Sequence, residues 1–181
     1  MDAGVNYVLC YEASEATSGT QGKQTVSGGT TGKVSVTFPS AFGTAPDFVT
    51  CQLVGPQGSE MVDARVVADS IATTGFDVQL SADVPGGTSY TLYWKAVETE
   101  TDNIFEVDLA SLTAGAQNIN YPNPLASAPP WFMCQLLAPD TKAQIDAHVI
   151  ANAVKPDSMD VMVMATDTGT YKLMCQTKIF T

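Results

Sequence analysis

Phe38–Leu53 reads FPSAFGTAPDFVTCQL, and Tyr121–Leu136 reads YPNPLASAPPWFMCQL. The two phrases start 83 residues apart, at 38 and 121, and the match runs on at that offset without a gap. Pro39 meets Pro122, Ala45-Pro46 meets Ala128-Pro129, and Cys51-Gln52-Leu53 meets Cys134-Gln135-Leu136. Further on, Pro56 meets Pro139, Asp63-Ala64 meets Asp146-Ala147, and Asp77-Val78 meets Asp160-Val161; upstream, Gly32 meets Gly115 and Val36 meets Ile119. Such dense, ungapped identity marks duplication of one folding unit. An 83-residue period exceeds any solenoid unit and has the size of a small domain.

Each copy has a β pattern. Val34–Phe38, Phe76–Leu80 and Tyr90–Trp94 alternate apolar and polar residues with the strand period, and are rich in Val, Thr, Tyr and Phe. Turn signals separate them at Gly28-Gly29, Gly55-Pro56, Thr74-Gly75 and Gly86-Gly87. No window carries a long helical period with caps. The expected fold is all-β, two tandem antiparallel β-sandwich domains with little or no helix, spanning 1–97 and 98–181. The Ser/Thr/Gly-rich stretch Glu12–Gly32 reads as a long loop with at most one short strand, and Glu98–Asn103 as the linker. A strand phrase recurs at Tyr7–Leu9, Tyr90–Leu92 and, two residues early, Tyr171–Leu173. Either the strand closing one copy resembles the strand opening the next, or the terminal copies complete a shared sheet.

Pro46 and Pro129 each precede an apolar run. Proline donates nothing to a ladder and suits a strand entrance, so the repeated phrase is expected to be scaffold: a strand, a Pro-rich corner, then a central strand.

Composition narrows the function. Hydrophobic residues at 45% suffice for a packed core, and the formal net charge of −11 opposes binding to nucleic-acid phosphates or anionic membranes. The opening MDAGVNYVLCYEASEA lacks a basic region followed by a long apolar one, so no signal peptide is expected, and the chain is expected to be made in a host cytoplasm. Cys10, Cys51, Cys134 and Cys175 form no CxxC pair or zinc-ligand spacing and are expected to be buried free thiols.

The strings VSVTFPSAFGTAPDFV, ARVVADSIATTGFDVQL and YTLYWKA resemble the H-type lectin domain over about residues 32–96, through Phe38, Pro39, Phe42, Pro46, Gly75, Phe76 and Trp94. In the second copy Gly75-Phe76 becomes Ser158-Met159, and Trp94 aligns near Cys175. The resemblance implies six-stranded antiparallel sandwiches that form trimers or hexamers and bind galactose-type sugars, with similar domains in phage fibre and virion proteins. The family's basic sugar-binding position falls on Asp63, with Arg65 two residues later, and the loop before the last strand, Asp83–Gly87, has no aromatic residue. The resemblance therefore supports the fold more than the lectin activity.

The candidate ligand residues, should the chain bind a glycan, are Asp63, Arg65, Asp146 and His148. Asp63 and Asp146 also suit ion pairing on a sheet face, and His148, the lone histidine, stands where the first copy has Arg65. No nucleophile elbow, HExxH, P-loop or dinucleotide fingerprint occurs, so no enzyme activity, metal or cofactor is expected.

With Val49, Cys51 and Leu53 toward the core, Phe48, Thr50 and Gln52 face outward, and the second copy replaces them with Trp131, Met133 and Gln135. Gln79 and Ser81 likewise become Met162 and Met164. A face in water stays polar, so the second copy's face is expected to be covered, either by the first copy or by another subunit. Trp131, Met133, Met162 and Met164 are the candidate interface. The expected role is a non-enzymatic phage virion protein, a capsid decoration or tail/fibre component, forming a homo-oligomer (a trimer favoured) with other virion proteins. The alternative is a soluble carbohydrate-binding lectin.

Overall fold

The computed structural model describes residues 21–97, 104–129, 131–138, 145, 147–150 and 153–178. Cys10, the Tyr7–Leu9 phrase, the 98–103 linker and Asp146 lie outside the described residues, as do the side chains of Trp131 and His148.

The first copy supplies β1 (Gln21–Ser27), β2 (Lys33–Thr37), β3 (Phe48–Val54), β4 (Ala64–Val66), β5 (Gly75–Leu80) and β6 (Ser89–Val97). The second supplies β7 (Ile104–Leu112), β8 (Gly115–Asn120), β9 (Trp131–Leu137), β10 (Ala147–Val149), β11 (Ser158–Val163) and β12 (Asp167–Lys178). No α-helix occurs among the described residues; Ala68–Ser70 forms a short 3-10 turn. The fold is an all-β sandwich, built twice.

Each sandwich has two three-stranded antiparallel sheets: β1-β6-β3 over β2-β5-β4, then β7-β12-β9 over β8-β11-β10 in the same strand order. Alternation sets the inner faces. On β6, Tyr90, Leu92, Trp94 and Ala96 point inward and are buried. On β12, Tyr171, Leu173 and Cys175 do the same. The pairings Leu53 with Leu92 and Leu136 with Leu173 show that β12 repeats β6. Its sequence offset is two residues short because the preceding loop is shorter: Leu80 to Tyr90 spans ten residues, and Val163 to Tyr171 eight.

β1 is a full seven-residue strand at the end of the stretch expected to be mostly loop. The strand after the Pro corner is not central. β3 and β9 are edge strands, and β6 and β12 are the central ones. On β9 the apolar outer face is covered by packing against the first sandwich, whereas on β3 the outer face carries exposed Gln52 and Val54.

An aromatic cluster fills the first core. Phe38 lies 4.8 Å from Phe42, 5.3 Å from Trp94 and 5.6 Å from Phe76 between ring centres. Gly75 is required where β5 begins, because a Cβ there would sit 2.1 Å from the Val36 carbonyl oxygen across the ladder.

Candidate functional site

The first sandwich is open on the side where edge strands β3 and β4 approach each other. Side chains of the second copy close that opening. Ile104, Leu137 and Met174 belong to the same buried cluster as Val49, Val66, Leu92 and Trp94. They come from the outer face of the β7-β12-β9 sheet, whose inner-face residues Phe105, Leu136 and Leu173 belong to the second core. Met133 packs beside them. The face expected to be covered in the second copy is thus covered, along β9, by the first copy of the same chain.

Polar groups complete this joint. The Ala68 amide donates to the Ala138 carbonyl at 3.2 Å, and Arg65 Nη1 donates to the Ile145 carbonyl at 3.3 Å. Burial pushes the Cys51 thiol up to about 12; the Gln135 side chain hydrogen-bonded to it lowers the pKa by less than desolvation raises it. A thiol held protonated in this way is a poor nucleophile and serves as a packing group. Lys172 bonds to Glu106 on the neighbouring strand, and that bond raises its pKa. Cys51, Cys134 and Cys175 are free.

The candidate ligand residues divide. Asp63 is exposed and bonds through its backbone with Ser81, its amide to Ser81 Oγ at 2.9 Å and its carbonyl to the Ser81 amide at 3.0 Å. Those bonds hold it next to the loop carrying Asp83–Gly87. Arg65, mostly buried, lies 3.9 Å from Asp63 and spends a guanidinium nitrogen on the joint. The loop itself is tied down: the Val84 carbonyl accepts from Gly29 at 2.8 Å, and the Val84 amide donates to Thr30 at 2.9 Å. His148 occupies the position of Arg65 in register, opposite Met162 as Arg65 is opposite Gln79.

The candidate interface divides too. Met133 lies against the first core, but Met162 and Met164 are 37% and 58% exposed. Alternation assigned all of them to one kind of face. It did not reveal that β9 and β11 belong to opposite sheets of the sandwich, and the joint covers only the β9 sheet.

Two residues that the sequence comparison passed over stand out. Val54 and Tyr93 on the outer face of the β1-β6-β3 sheet are 45% and 48% exposed. A signal for Val54 was present, since it aligns with Leu137 at the 83-residue offset; Tyr93 aligns with Met174 only once the two-residue slip is recognised.

Among the described residues no group of three or more His, Cys, Asp or Glu side chains could hold a metal ion, and no helix is long and apolar enough to cross a membrane. Compared with known proteins, the chain matches no family model, no curated protein and no solved structure.

Proposed function

We propose that this chain is a non-enzymatic structural protein of a bacteriophage particle, a capsid decoration or tail/fibre subunit, made in the host cytoplasm and working as a homo-oligomer. The observation that carries this reading is the joint. Core side chains, the half-buried Cys51 and the one arginine near the lectin-like position are all committed to packing sandwich against sandwich. A chain that uses its potentially reactive groups in this way is built to hold a shape. The net charge of −11 supports the reading as well, because mutual repulsion keeps a subunit soluble at high concentration before assembly.

The test is sedimentation of intact particles from an infected culture, with the chain detected by mass spectrometry. Co-sedimentation in fixed proportion to the major particle proteins is expected. Absence from purified particles would overturn the reading. Glycan-array binding by the pure protein, lost in Asp63→Ala, would instead establish the soluble lectin.

A further inference from the structure

We infer that copies of this chain join to one another through a second version of the joint that holds its own two sandwiches together. The outer face of the first sandwich's β1-β6-β3 sheet seats on the open β9–β10 side of the second sandwich of another copy. This deepens the homo-oligomer reading above.

The argument rests on what duplication leaves unpaired. Each sandwich has both an open side and an outer sheet face. Within the chain, the open side of the first receives the outer face of the second. Among the described residues, the other open side and the other outer face remain without a partner. The residues at equivalent places are telling. Leu137 and Met174 are 0% and 3% exposed where they enter the first core. Their counterparts Val54 and Tyr93 are about half exposed, and both are among the exposed large hydrophobic residues of the described chain. Tyr93 pairs with Gln52, two residues before Val54 on β3, just as Met174 pairs with Gln135, two residues before Leu137 on β9.

The receiving side shows the same contrast. Ala64 and Val66 on β4 are buried, whereas their counterparts Ala147 and Val149 on β10 are only half-buried. An apolar side chain left half in water at a position designed for burial is unfinished packing, and a matching apolar pair exists on the same molecule to finish it. The face offered is also more polar than its intrachain counterpart, with Gln21 and Thr50 in place of Ile104 and Met133. That suits a contact whose surface must tolerate water before it forms.

The contact uses two different surfaces, so it is head-to-tail. Such contacts close into a ring or continue as a filament. A ring of three chains would place six sandwiches in one repeating arrangement.

The test is the mass of the full chain in solution by size-exclusion chromatography with light scattering. The expected mass is at least double that of the single 19.1 kDa chain. Val54→Asp combined with Tyr93→Asp should return it to a single chain with unchanged strand content by circular dichroism. As an independent readout, maleimide labelling of Cys134, mapped by mass spectrometry, should be several-fold slower in the wild-type assembly than in the double variant. A wild-type chain that stays single at every concentration, a folded double variant that keeps the assembled mass, or Cys134 labelling that does not differ would each overturn the inference. Particle sedimentation answers a separate question: an assembling chain absent from particles removes the virion reading and leaves this one standing.

Discussion

The two sandwiches fill the same space with opposite choices at one cross-strand pair. In the first, Gly22 on β1 faces Trp94 on β6; in the second, Phe105 on β7 faces Cys175 on β12. A Cβ on Gly22 would lie 2.5 Å from the indole, so the glycine is there to admit the ring. Where the tryptophan has become cysteine, the glycine has become phenylalanine. The aromatic contact with the Pro corner is kept from the other strand: Trp94 lies 5.3 Å from Phe38, and Phe105 lies 5.1 Å from Tyr121. A core constrains total volume and shape more tightly than the identity of any one residue, and paired exchanges can drift through it.

The comparison breaks most visibly if the pair is cut. Trp94→Cys alone should cost about 3–5 kcal/mol, as loss of a buried aromatic does. Adding Gly22→Phe, which transplants the second sandwich's pair, should recover a large part, with a coupling above about 1 kcal/mol in the double-mutant cycle. Gly22→Phe alone should destabilise through overlap with the indole. Urea unfolding of the four proteins measures all of this, and additive effects would deny that the pairs are compensating exchanges.

The next contrast concerns the joint. Leu137→Ala should cost about 2–5 kcal/mol, since Leu137 is fully buried in the first sandwich's core. Val54→Ala, its counterpart, should stay within about 0.5 kcal/mol when unfolding is followed at high dilution, where no neighbouring chain contributes. Equal losses would mean that the sandwiches are not coupled in the way described.

A smaller effect depends on pH. The Cys51 thiol is held up at about 12 against an ordinary 9.0, chiefly by desolvation. The folded chain therefore keeps a proton that the unfolded chain has lost, so this contribution is complete below pH 9 and falls away as pH rises toward 12. Cys51→Ala should remove a downward slope of up to about 1.4 kcal/mol per pH unit in that window. Denaturant titrations at a series of alkaline pH values would show the slopes of the two proteins diverging, and parallel slopes would refute the assignment.

The smallest contrast separates two buried phenols. Tyr90 Oη donates to the Glu60 carbonyl at 2.7 Å, while Tyr121 Oη has no hydrogen-bond partner among the described residues. Tyr90→Phe should cost about 0.5–1.5 kcal/mol and Tyr121→Phe should be neutral or slightly stabilising, by thermal unfolding. A clear loss at Tyr121 would reveal an undetected partner for its hydroxyl.

Much of the architecture could be read from the residues. The offset of Cys51-Gln52-Leu53 to Cys134-Gln135-Leu136 declares the duplication, and the alternation in Tyr90–Trp94 declares a strand with one inner face. What alternation omits is a strand's neighbours. It assigned β3 to the middle of a sheet because its run is apolar, whereas β3 is an edge strand that keeps Phe48 and Val49 buried and leaves Val54 exposed. The substitution of Met133 for Thr50 signalled a cover but not which surface provides it, and Met162 carried the same signal on a sheet that the joint does not reach. Arg65 could be selected by type and position, but its bond to the Ile145 carbonyl depends on how two remote segments are placed. The exposed pair Val54 and Tyr93 stayed hidden because exposure of an apolar residue is visible only in three dimensions.

Because Ile104, Leu137 and Met174 complete the first core, synthesis of the chain meets a constraint that two independent modules would escape. When Val97 leaves the ribosome, the amino-terminal strands are all present, yet their shared interior still lacks part of its wall. The nascent half must wait, with apolar surface uncovered, until β12 has also emerged. Premature termination or a slow codon run in the second half would therefore endanger the first half, and a chaperone that shields the β3–β4 seam during that delay would raise the yield of soluble protein.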